Sequence, residues 1–556
     1  MGIEYKRVSE VLEEHGMGRY QLQLFNDRGI VIKVFCWQPK SRISFESDRG
    51  FYSIDSNHRN KTQSFLKTAR ENKADIVLAP EYSIPVEEVI NLLEDGNLWP
   101  QMGKLWCLGM EGIPYDEIEK FHHIQNQNVL VIHEEMENIS PSDFFSCVAH
   151  LFLCQPKKGK NGPNKLVCIL QFKTSPASDS EVNLEAVSLT PGNCIYFFDD
   201  GNNHGLVSYI CADALNQDIV TKRQNIQNSE IIILHPQLNP KPMHASFQQM
   251  RKNFLDYAEK RTRLISVNWA RGTLIETENI PDIKIEDGGT AVYYNQTDRE
   301  KGKANYQENR KKGLEFSKSG HIDIWHTPSN EHCILYTING FSFNNMNNVA
   351  KLHQEPKGMS YYEFNNLEME WKKEDACKVC SIDWDWLKER FCFDDCNHTD
   401  CKFLKLKKFF RVLFCDDEEL IRGEDIFSNK EDMTGNKTKL RERCDYIDNA
   451  LQEEIIPDKF SALKNQNYEW VMENNINIVG KGNSDGRLKA CVAYIDASSK
   501  SIIERGISRL EGILGEGAMD KVILYHLSVR GIRYYDKLYN IQINNPNLVN
   551  SVDIIK

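Results

Sequence analysis

A carboxylate, an amine and a thiol stand at three separate places in this chain, each where a short run of strand-forming residues ends. Glu81 lies in Ala79-Pro80-Glu81-Tyr82-Ser83, directly after Asp75-Ile-Val-Leu-Ala79. Lys173 lies in Gln171-Phe172-Lys173-Thr174-Ser175-Pro176, and Cys211 closes Gly205-Leu-Val-Ser-Tyr-Ile-Cys211 ahead of Ala212 and Asp213. Cleaving a carbon-nitrogen bond at a carbonyl or nitrile carbon needs a nucleophile, a base to free it, stabilisation of the tetrahedral intermediate and an acid for the leaving nitrogen. A thiol is only partly ionised near neutrality and benefits from a nearby base or cation. Lys173 can stabilise a thiolate and a developing oxyanion, and a partly desolvated Glu81 can take the thiol proton and return it to the leaving group. A buried carboxylate beside an ammonium offsets part of the other's desolvation. Singly, each residue has a plain structural use: a glutamate after proline favours a first helical turn, a lysine is solvated, and a cysteine in an apolar run fills a core.

The elements that must position them alternate as in an α/β protein. Strands are predicted at Ile30–Cys36, Asp75–Ala79, Lys104–Gly109, Asn128–His133, Ser146–Cys154, Leu166–Phe172, Leu206–Cys211, Glu230–Leu234, Leu264–Asn268, Thr290–Tyr294 and His332–Ile338. Helices are predicted over Arg59–Lys73 and Phe247–Lys260, and the charged stretch Asn295–Lys318 reads as a solvated loop or hairpin extension. Glu81 then falls at a strand's C-terminal edge, where α/β proteins place working residues.

Glu, Lys and Cys in this order resemble the nitrilase (carbon-nitrogen hydrolase) superfamily. The segments NSEIIILHPQ, FQQMRKNFLDYAEKRTRLISVNWARG and GGTAVYYN are similar to that family's strand, helix and strand sequence after the nucleophile. The resemblance implies a four-layer αββα sandwich over residues 30–345, with residues 1–29 read as an N-terminal extension before it. It also implies roles: Cys211 as the nucleophile of a thioester, Glu81 as general acid/base, and Lys173 with the backbone N–H of Ala212 as oxyanion donors. Some amidase branches carry a second glutamate soon after the lysine, and Glu181 stands in that place. Asp213 fits the family pattern in a structural role. Two departures concern substrate preference: QFKTSPASDSE lacks the aromatic or basic neighbour that often precedes the lysine, and NQDIV replaces the usual Pro-Glu, with Asp218 as a substitute. A Cys-His scheme through His204, His235 or His244 is the competing arrangement, and none of these stands in a cysteine-protease signature.

Past residue 345 the resemblance ends. Residues 346–479 read as a connector followed by a Cys-rich, mainly helical region, and 480–556 as a small α/β or α+β module of strand, helix and strand, with Ser498 or Ser499 as helix cap. Cys377, Cys380, Cys396, His398 and Cys401 are a candidate structural zinc set, with reduced thiols as the alternative. No cofactor is expected for catalysis. The basic, aromatic-interleaved run Lys402–Phe414 is a candidate contact for RNA, lipid or an acidic protein, against an ordinary amphipathic element with a solvated lysine face. GKGNSDGR at 480–487 fits no phosphate-loop pattern.

The 556 residues carry a formal charge of -12 and 16 cysteines, with a pI near 5.8. That balance argues against a general nucleic-acid or anionic-membrane surface. With no apolar run of spanning length and no hydrophobic signal core, the expectation is a cytoplasmic protein with free thiols and no membrane partner. The leading functional reading is an amidase-type hydrolase acting on a small amide or carbamoyl substrate, with nitrile hydrolysis a weaker version. The alternatives are a nitrilase-fold sensor or assembly module, in a bacterial defence system for instance, whose C-terminal region binds a protein or nucleic acid, and an N-acyltransferase. A homo-oligomer, dimeric or filamentous, is expected. The lack of a Gly-Gly-x-Asp-Ser loop argues against ammonia transfer to a fused NAD synthetase domain, and there is no reverse-transcriptase signature.

Overall fold

Every strand predicted between Ile30 and Ile338 is present in the computed structural model. The structure describes residues 2–25, 31–124, 128–135, 140, 143–157, 163–177, 184–201, 204–219, 221, 230–242, 244–255, 261–277, 281–285, 288–295, 309, 312–319, 322–341, 356–375 and 377, and four strands beyond them. The chain divides into one unit of Met1–Glu315 with His321–Val379 and another of Phe316–Gly320 with Cys380–Lys556.

The first unit contains two large sheets. One runs in the order Glu370–Glu374, Lys357–Asn365, His332–Asn339, Val31–Gln38, Ile76–Ile84, Leu105–Met110, Cys147–Cys154, Lys165–Phe172, Val129–His133. Its centre is parallel, with Val34, Phe35 and Cys36 beside Ile76, Val77 and Leu78, and Ile76 to Ala79 beside Leu105 to Leu108. The other sheet includes, in order, Glu4–Arg7, Cys194–Asp199, His204–Ser208, Glu230–Pro236, Arg261–Val267, Ala291–Asn295 and Ile322–His326. Its parallel centre pairs His204–Ser208 with Glu230–Leu234, and Glu230–Pro236 with Arg261–Val267. These central strands are buried along nearly their whole length. That is why they read as continuous apolar runs, and it requires both faces to be covered.

A seam of hydrogen bonds records how the sheets face one another. Ser208 Oγ of one sheet lies 2.9 Å from His150 Nε2 and 3.5 Å from Cys107 Sγ of the other. Gln171 Nε2 donates to the Ser208 carbonyl at 2.9 Å, and its Oε1 accepts from Tyr196 N–H at 3.1 Å. On the outer face of the first sheet, helices His58–Glu71, Val86–Glu94 and Tyr115–Ile124 bury Phe65, Leu92 and Phe121 against Phe35, Val77 and Trp106 in one core. Phe65 and Ala69 are spaced to lie on one helix face. On the second sheet, helix Ala245–Leu255 stacks Phe254 on Tyr209 at 5.4 Å. Helix Val8–Glu14 packs against Cys194–Asp199. The order helix, sheet, sheet, helix is the expected αββα sandwich.

Two expectations are corrected. The N-terminal extension, expected to precede the domain, adds a strand: Glu4–Arg7 pairs in parallel with Cys194–Phe197. The connector after residue 345 is partly a hairpin. Lys357–Asn365 pairs with His332–Asn339 and then with Glu370–Glu374, continuing the first sheet. Its turn is set by Asn365, whose Oδ1 accepts the Leu367 N–H at 2.9 Å, the local bond that makes asparagine a turn former.

A small sheet of Ile283–Lys284, Leu274–Glu276, Arg42–Glu46 and Gly50–Ser53 lies at the strand ends. It is seated on the end of Leu105–Met110, where Gly112 N–H donates to the Phe51 carbonyl at 2.8 Å and Ser53 N–H to Glu111 Oε1 at 3.0 Å. Burial pushes the Glu111 carboxyl up to about 7, partly opposed by the Ser53 N–H and Arg49. A carboxyl raised on folding contributes stability that is complete below the unfolded value, near pH 4, and is lost as pH rises through about 7. Glu111→Gln should therefore flatten this dependence. The stability difference between parent and variant, from urea unfolding, is expected to change by about 3 kcal/mol between acid and mildly alkaline pH; an unchanged difference would refute the assignment.

In the second unit, Val479–Lys481, Leu488–Ile495, Val522–Ser528 and Gly531–Tyr535 form a sheet in that order, with the middle pair parallel. These middle strands are the two predicted in the C-terminal module. The helix predicted between them, Ser498, Ser499, the run Lys402–Phe414 and the candidate zinc residues Cys380, Cys396, His398 and Cys401 lie outside the described residues. The cysteines resolved in the first unit are free thiols. Among the described residues, no helix is long and apolar enough to cross a membrane.

Candidate active site

Glu81 owes its position to a break in strand pairing. Ala79 pairs with Leu108 and Ile84 with Met110, so Pro80 to Ser83 bulge out opposite Gly109. Bulges of this kind re-aim a side chain at a sheet edge. Ser83 Oγ closes the bulge on the Pro80 carbonyl at 2.6 Å, Trp269 Nε1 donates to the Glu81 carbonyl at 2.8 Å, and His58 Nε2 donates to the Ser83 carbonyl at 2.7 Å. Tyr82 takes φ +61°. Gly109 is required by close approach: a Cβ there would lie 2.0 Å from the Pro80 carbonyl oxygen.

Lys173 follows strand Lys165–Phe172, with its N–H on the Ser146 carbonyl at 2.8 Å. Ser146 also donates through Oγ to Glu81 Oε1 at 3.0 Å, so one residue holds both partners. Cys211 comes three residues after the end of strand His204–Ser208, which ends earlier than predicted, and begins the short 3-10 turn Cys211–Leu215 with φ +43°. Positive φ at two non-glycine residues costs on the order of 1–3 kcal/mol each, and such strain gathers at functional sites. Asp213 fastens this turn to the lysine segment. Its Oδ1 accepts from Thr174 N–H at 2.8 Å, Thr174 Oγ at 2.9 Å and Ser175 N–H at 2.9 Å, and its Oδ2 from Ile210 N–H at 3.2 Å. Its place is structural.

The side chains converge in a buried cluster. Lys173 Nζ lies 2.8 Å from Glu81 Oε1 and 2.7 Å from both oxygens of Glu185, with Glu81 wholly buried, Lys173 1% and Glu185 5% exposed. Three ammonium protons thus face three carboxylate oxygens. Leu238 joins the thiol to the acid: its N–H donates to Glu81 Oε2 at 3.0 Å, and its carbonyl receives Cys211 Sγ at 3.9 Å. The Leu238 segment is itself clamped, with Asn239 N–H on Asn268 Oδ1 at 2.9 Å and Asn268 Nδ2 on the Asn239 carbonyl at 2.8 Å.

Electrostatics follow from this packing. Burial raises the Glu81 carboxyl, Lys173 lowers it, and Glu185 raises it again, leaving it above the ordinary carboxylate range. Burial acts to lower Lys173, but Glu185 and Glu81 outweigh it, so the ammonium is held well above its usual value. Burial and then the charge of Glu81 push the Cys211 thiol well up, against the pull of Lys173. The packing thus favours the neutral thiol and raises the proton affinity of Glu81 beside it.

Glu185, on helix Leu184–Ser188, is the site residue that sequence reasoning missed. Tyr82 OH donates to its Oε1 at 2.8 Å and Ala177 N–H to its Oε2 at 2.7 Å. Glu181, predicted for this place, lies outside the described residues, while Glu185 follows Lys173 by twelve positions rather than eight. Only the acidic side chain in a short helical run after the lysine signalled it. Asp218 is exposed. Each of the three candidate histidines is bonded to another group. His235 Nε2 donates to the Cys211 carbonyl at 3.0 Å, and burial lowers its ring to about 4. His204 bonds Asp200 at 2.6 Å, and His244 bonds Ser246 at 2.8 Å.

Glu185→Gln should shift the pH dependence of any reaction that uses Glu81. Removing the Glu185 charge removes a cause that raises Glu81, so the acid limb of kcat/KM is expected to move to lower pH, with a loss in rate on the order of 100-fold. An unmoved limb at parental rate would contradict the arrangement.

No family model matches this chain, and no curated protein does. Solved structures do. The chain is similar to glutamine-dependent NAD+ synthetase from Acinetobacter baumannii, at 15% identity and TM-score 0.30, over 56% of this chain and 46% of that one. Its structural neighbours are nitrilase-superfamily proteins. An amidase from Nesterenkonia sp. matches at 12% identity and TM-score 0.27, over 48% of this chain and 84% of its own. A carbon-nitrogen hydrolase from Helicobacter pylori G27 matches at 12% identity and TM-score 0.28, over 47% and 82%. The chain thus spans less than half the length of the synthetase.

Proposed function

We propose that the first unit is a thiol-dependent carbon-nitrogen hydrolase of the amidase type. The observation that carries this reading is the meeting of Glu81, Lys173 and Cys211, from three strand ends of two sheets, around Leu238 and Glu185. In the proposed cycle Cys211 Sγ attacks the amide carbon as its proton passes to Glu81, forming a C–S bond and an oxyanion. Lys173 and the Ala212 N–H hold that oxyanion. Collapse breaks the C–N bond, and Glu81 returns the proton to the departing ammonia or amine. Water then attacks the thioester, giving one proton to Glu81. The carboxylic acid leaves, and that proton restores the Cys211 thiol.

The raised Glu81 carboxyl suits this double duty, since a base is most useful with its pKa near the working pH. The raised thiol argues for proton transfer during attack rather than a standing thiolate. Glu185 and Tyr82 act as positioning residues that fix the ammonium. The test is turnover of amides in water enriched in oxygen-18, with ammonia and acid measured together. Hydrolysis predicts one heavy oxygen per acid formed and one ammonia per acid; label-free acyl product formed only with an added amine would favour acyl transfer instead, and no ammonia from any amide would reject the hydrolase.

A further inference from the structure

We propose that His58 and Trp371 are positioning residues for Glu81, so that the hairpin Lys357–Glu374 belongs to the catalytic unit although it follows all three reacting residues in the chain. This rests on the reading that Glu81 is the acid and base of an amide hydrolase. Between Ala79 and Ile84 the strand that carries Glu81 has no register partner. Buried backbone carbonyls need donors, and side chains supply them: Ser83 Oγ to Pro80, Trp269 Nε1 to Glu81 and His58 Nε2 to Ser83. The first donor belongs to the bulge itself. The other two are brought to it, Trp269 from beyond the end of strand Arg261–Val267 and His58 as the first residue of helix His58–Glu71.

These two donors are parts of one stack. The rings of His58 and Trp269 lie 5.6 Å apart at 15°, and Trp37, on strand Val31–Gln38, stacks on His58 at 5.4 Å and 22°. Trp37 in turn meets Phe65 at 5.2 Å and, edge-on, Trp371 of the hairpin at 6.3 Å. All five rings are buried. Trp371 is also tied to the helix that begins at His58: its N–H donates to Ser64 Oγ and its Nε1 to the Lys61 carbonyl, both at 2.9 Å. Tyr362 OH, on the hairpin's other strand, donates to Asn72 Oδ1 at 2.9 Å just past the helix's last residue. The hairpin therefore holds the helix at both ends and backs the stack. Close-packed interiors transmit such constraints, because few other placements are open to the rings.

His58 acts here as a fixed donor. Its Nδ1 has no partner among the described residues, which puts its one proton on Nε2. Burial lowers the ring to about 4, so it stays neutral at and above neutrality. What depends on the bulge is the aim of Glu81, whose carboxylate meets Lys173 Nζ at 2.8 Å, Ser146 Oγ at 3.0 Å and Leu238 N–H at 3.0 Å. A bulge that has lost its hold lengthens these bonds. Lys173 and Leu238 both lower the Glu81 carboxyl, so a loosened Glu81 takes up its proton at higher pH. A shift of about 1 Å at a reacting group can cost on the order of 100-fold in rate.

The experiment uses three variants of the full chain. His58→Phe keeps a ring in the stack and removes the donor to Ser83; Trp371→Phe keeps a ring beside Trp37 and removes the donor to Lys61; Trp371→Ala removes both. His58→Phe should lower kcat for amides on the order of 100-fold and Trp371→Ala about tenfold, with KM within about twofold and the acid limb of kcat/KM moved to higher pH. A second readout needs no turnover. Hydrogen exchange of the Trp269 indole N–H, followed by NMR on protein labelled with nitrogen-15 in tryptophan, should quicken in each variant, by about tenfold or more in His58→Phe and Trp371→Ala. Folded variants that lose stability to urea but keep the parental kcat, acid limb and indole exchange would overturn the inference, and Trp371→Phe decides the matter should Trp371→Ala not fold. If the parent hydrolyses no amide, the hydrolase reading fails by itself; faster indole exchange in the Trp371 variants would still support the hairpin's hold on the Glu81 bulge, and unchanged exchange would refute that as well.

Discussion

Cys211→Ala is expected to fold as the parent does and to release no ammonia from any amide the parent hydrolyses. Loss of the nucleophile removes the thioester route, and rates should fall on the order of 10^4-fold or more, as when a single member of a catalytic unit is deleted. The fold should tolerate the change, because alanine keeps the backbone at φ +43° and the turn is fastened by Asp213 rather than by the sulfur. Denaturant unfolding should place the variant within about 1–2 kcal/mol of the parent. A folded variant that keeps even a hundredth of the parental rate would contradict the role given to the thiol.

Lys173→Met makes the opposite prediction for stability. The ammonium is the shared partner of Glu81 and Glu185, and all three groups are buried. Its removal leaves two carboxylates close together without a cation, and breaking a buried ion pair by deleting one partner costs about 3–5 kcal/mol. Activity should fall on the order of 10^2–10^3-fold or more from the lost oxyanion donor alone. The stability loss has a pH signature: protonating the stranded carboxylates relieves it, so the deficit against the parent should shrink as pH falls. Urea unfolding near pH 8 and pH 5 checks this. A deficit under about 1 kcal/mol at both values would mean that Lys173 is not what holds the two acids together. Glu81→Gln with Glu185→Gln in the Lys173→Met protein should recover much of the loss, since uncharged amides can accept the remaining bonds.

What the sequence disclosed, and what it hid, follow from the range of the interactions involved. Strands such as Leu105–Met110 and Glu230–Pro236 are buried on both faces and therefore appear as unbroken apolar runs. Glu81, Lys173 and Cys211 could be picked out because each follows such a run. Glu4–Arg7 could not, since its four residues, EYKR, are polar and become a strand only by pairing with Cys194–Phe197 far along the chain. Cys194–Asp199, by contrast, carries an apolar signal, CIYFFD, in its own residues. The hairpin Lys357–Glu374 was masked by charged residues, although its aromatic Tyr361, Tyr362 and Trp371 are buried. Glu185 depended on a tertiary contact that spacing does not encode. The positive φ of Tyr82 and Cys211 likewise belongs to the assembled site, with the bulge and its bonds to Trp269 and His58 maintaining one of them.

The most direct test of the central claim is to catch the acyl group on the thiol. Protein mixed with an amide that it turns over and quenched in acid within the first turnover should gain the mass of that amide's acyl group less one hydrogen, and peptide mapping should place it on Cys211. Glu81→Gln protein should show little or no adduct, because the thiol has lost its base. An adduct on another residue, or ammonia release by folded protein that continues unchanged in Cys211→Ala, would contradict the account.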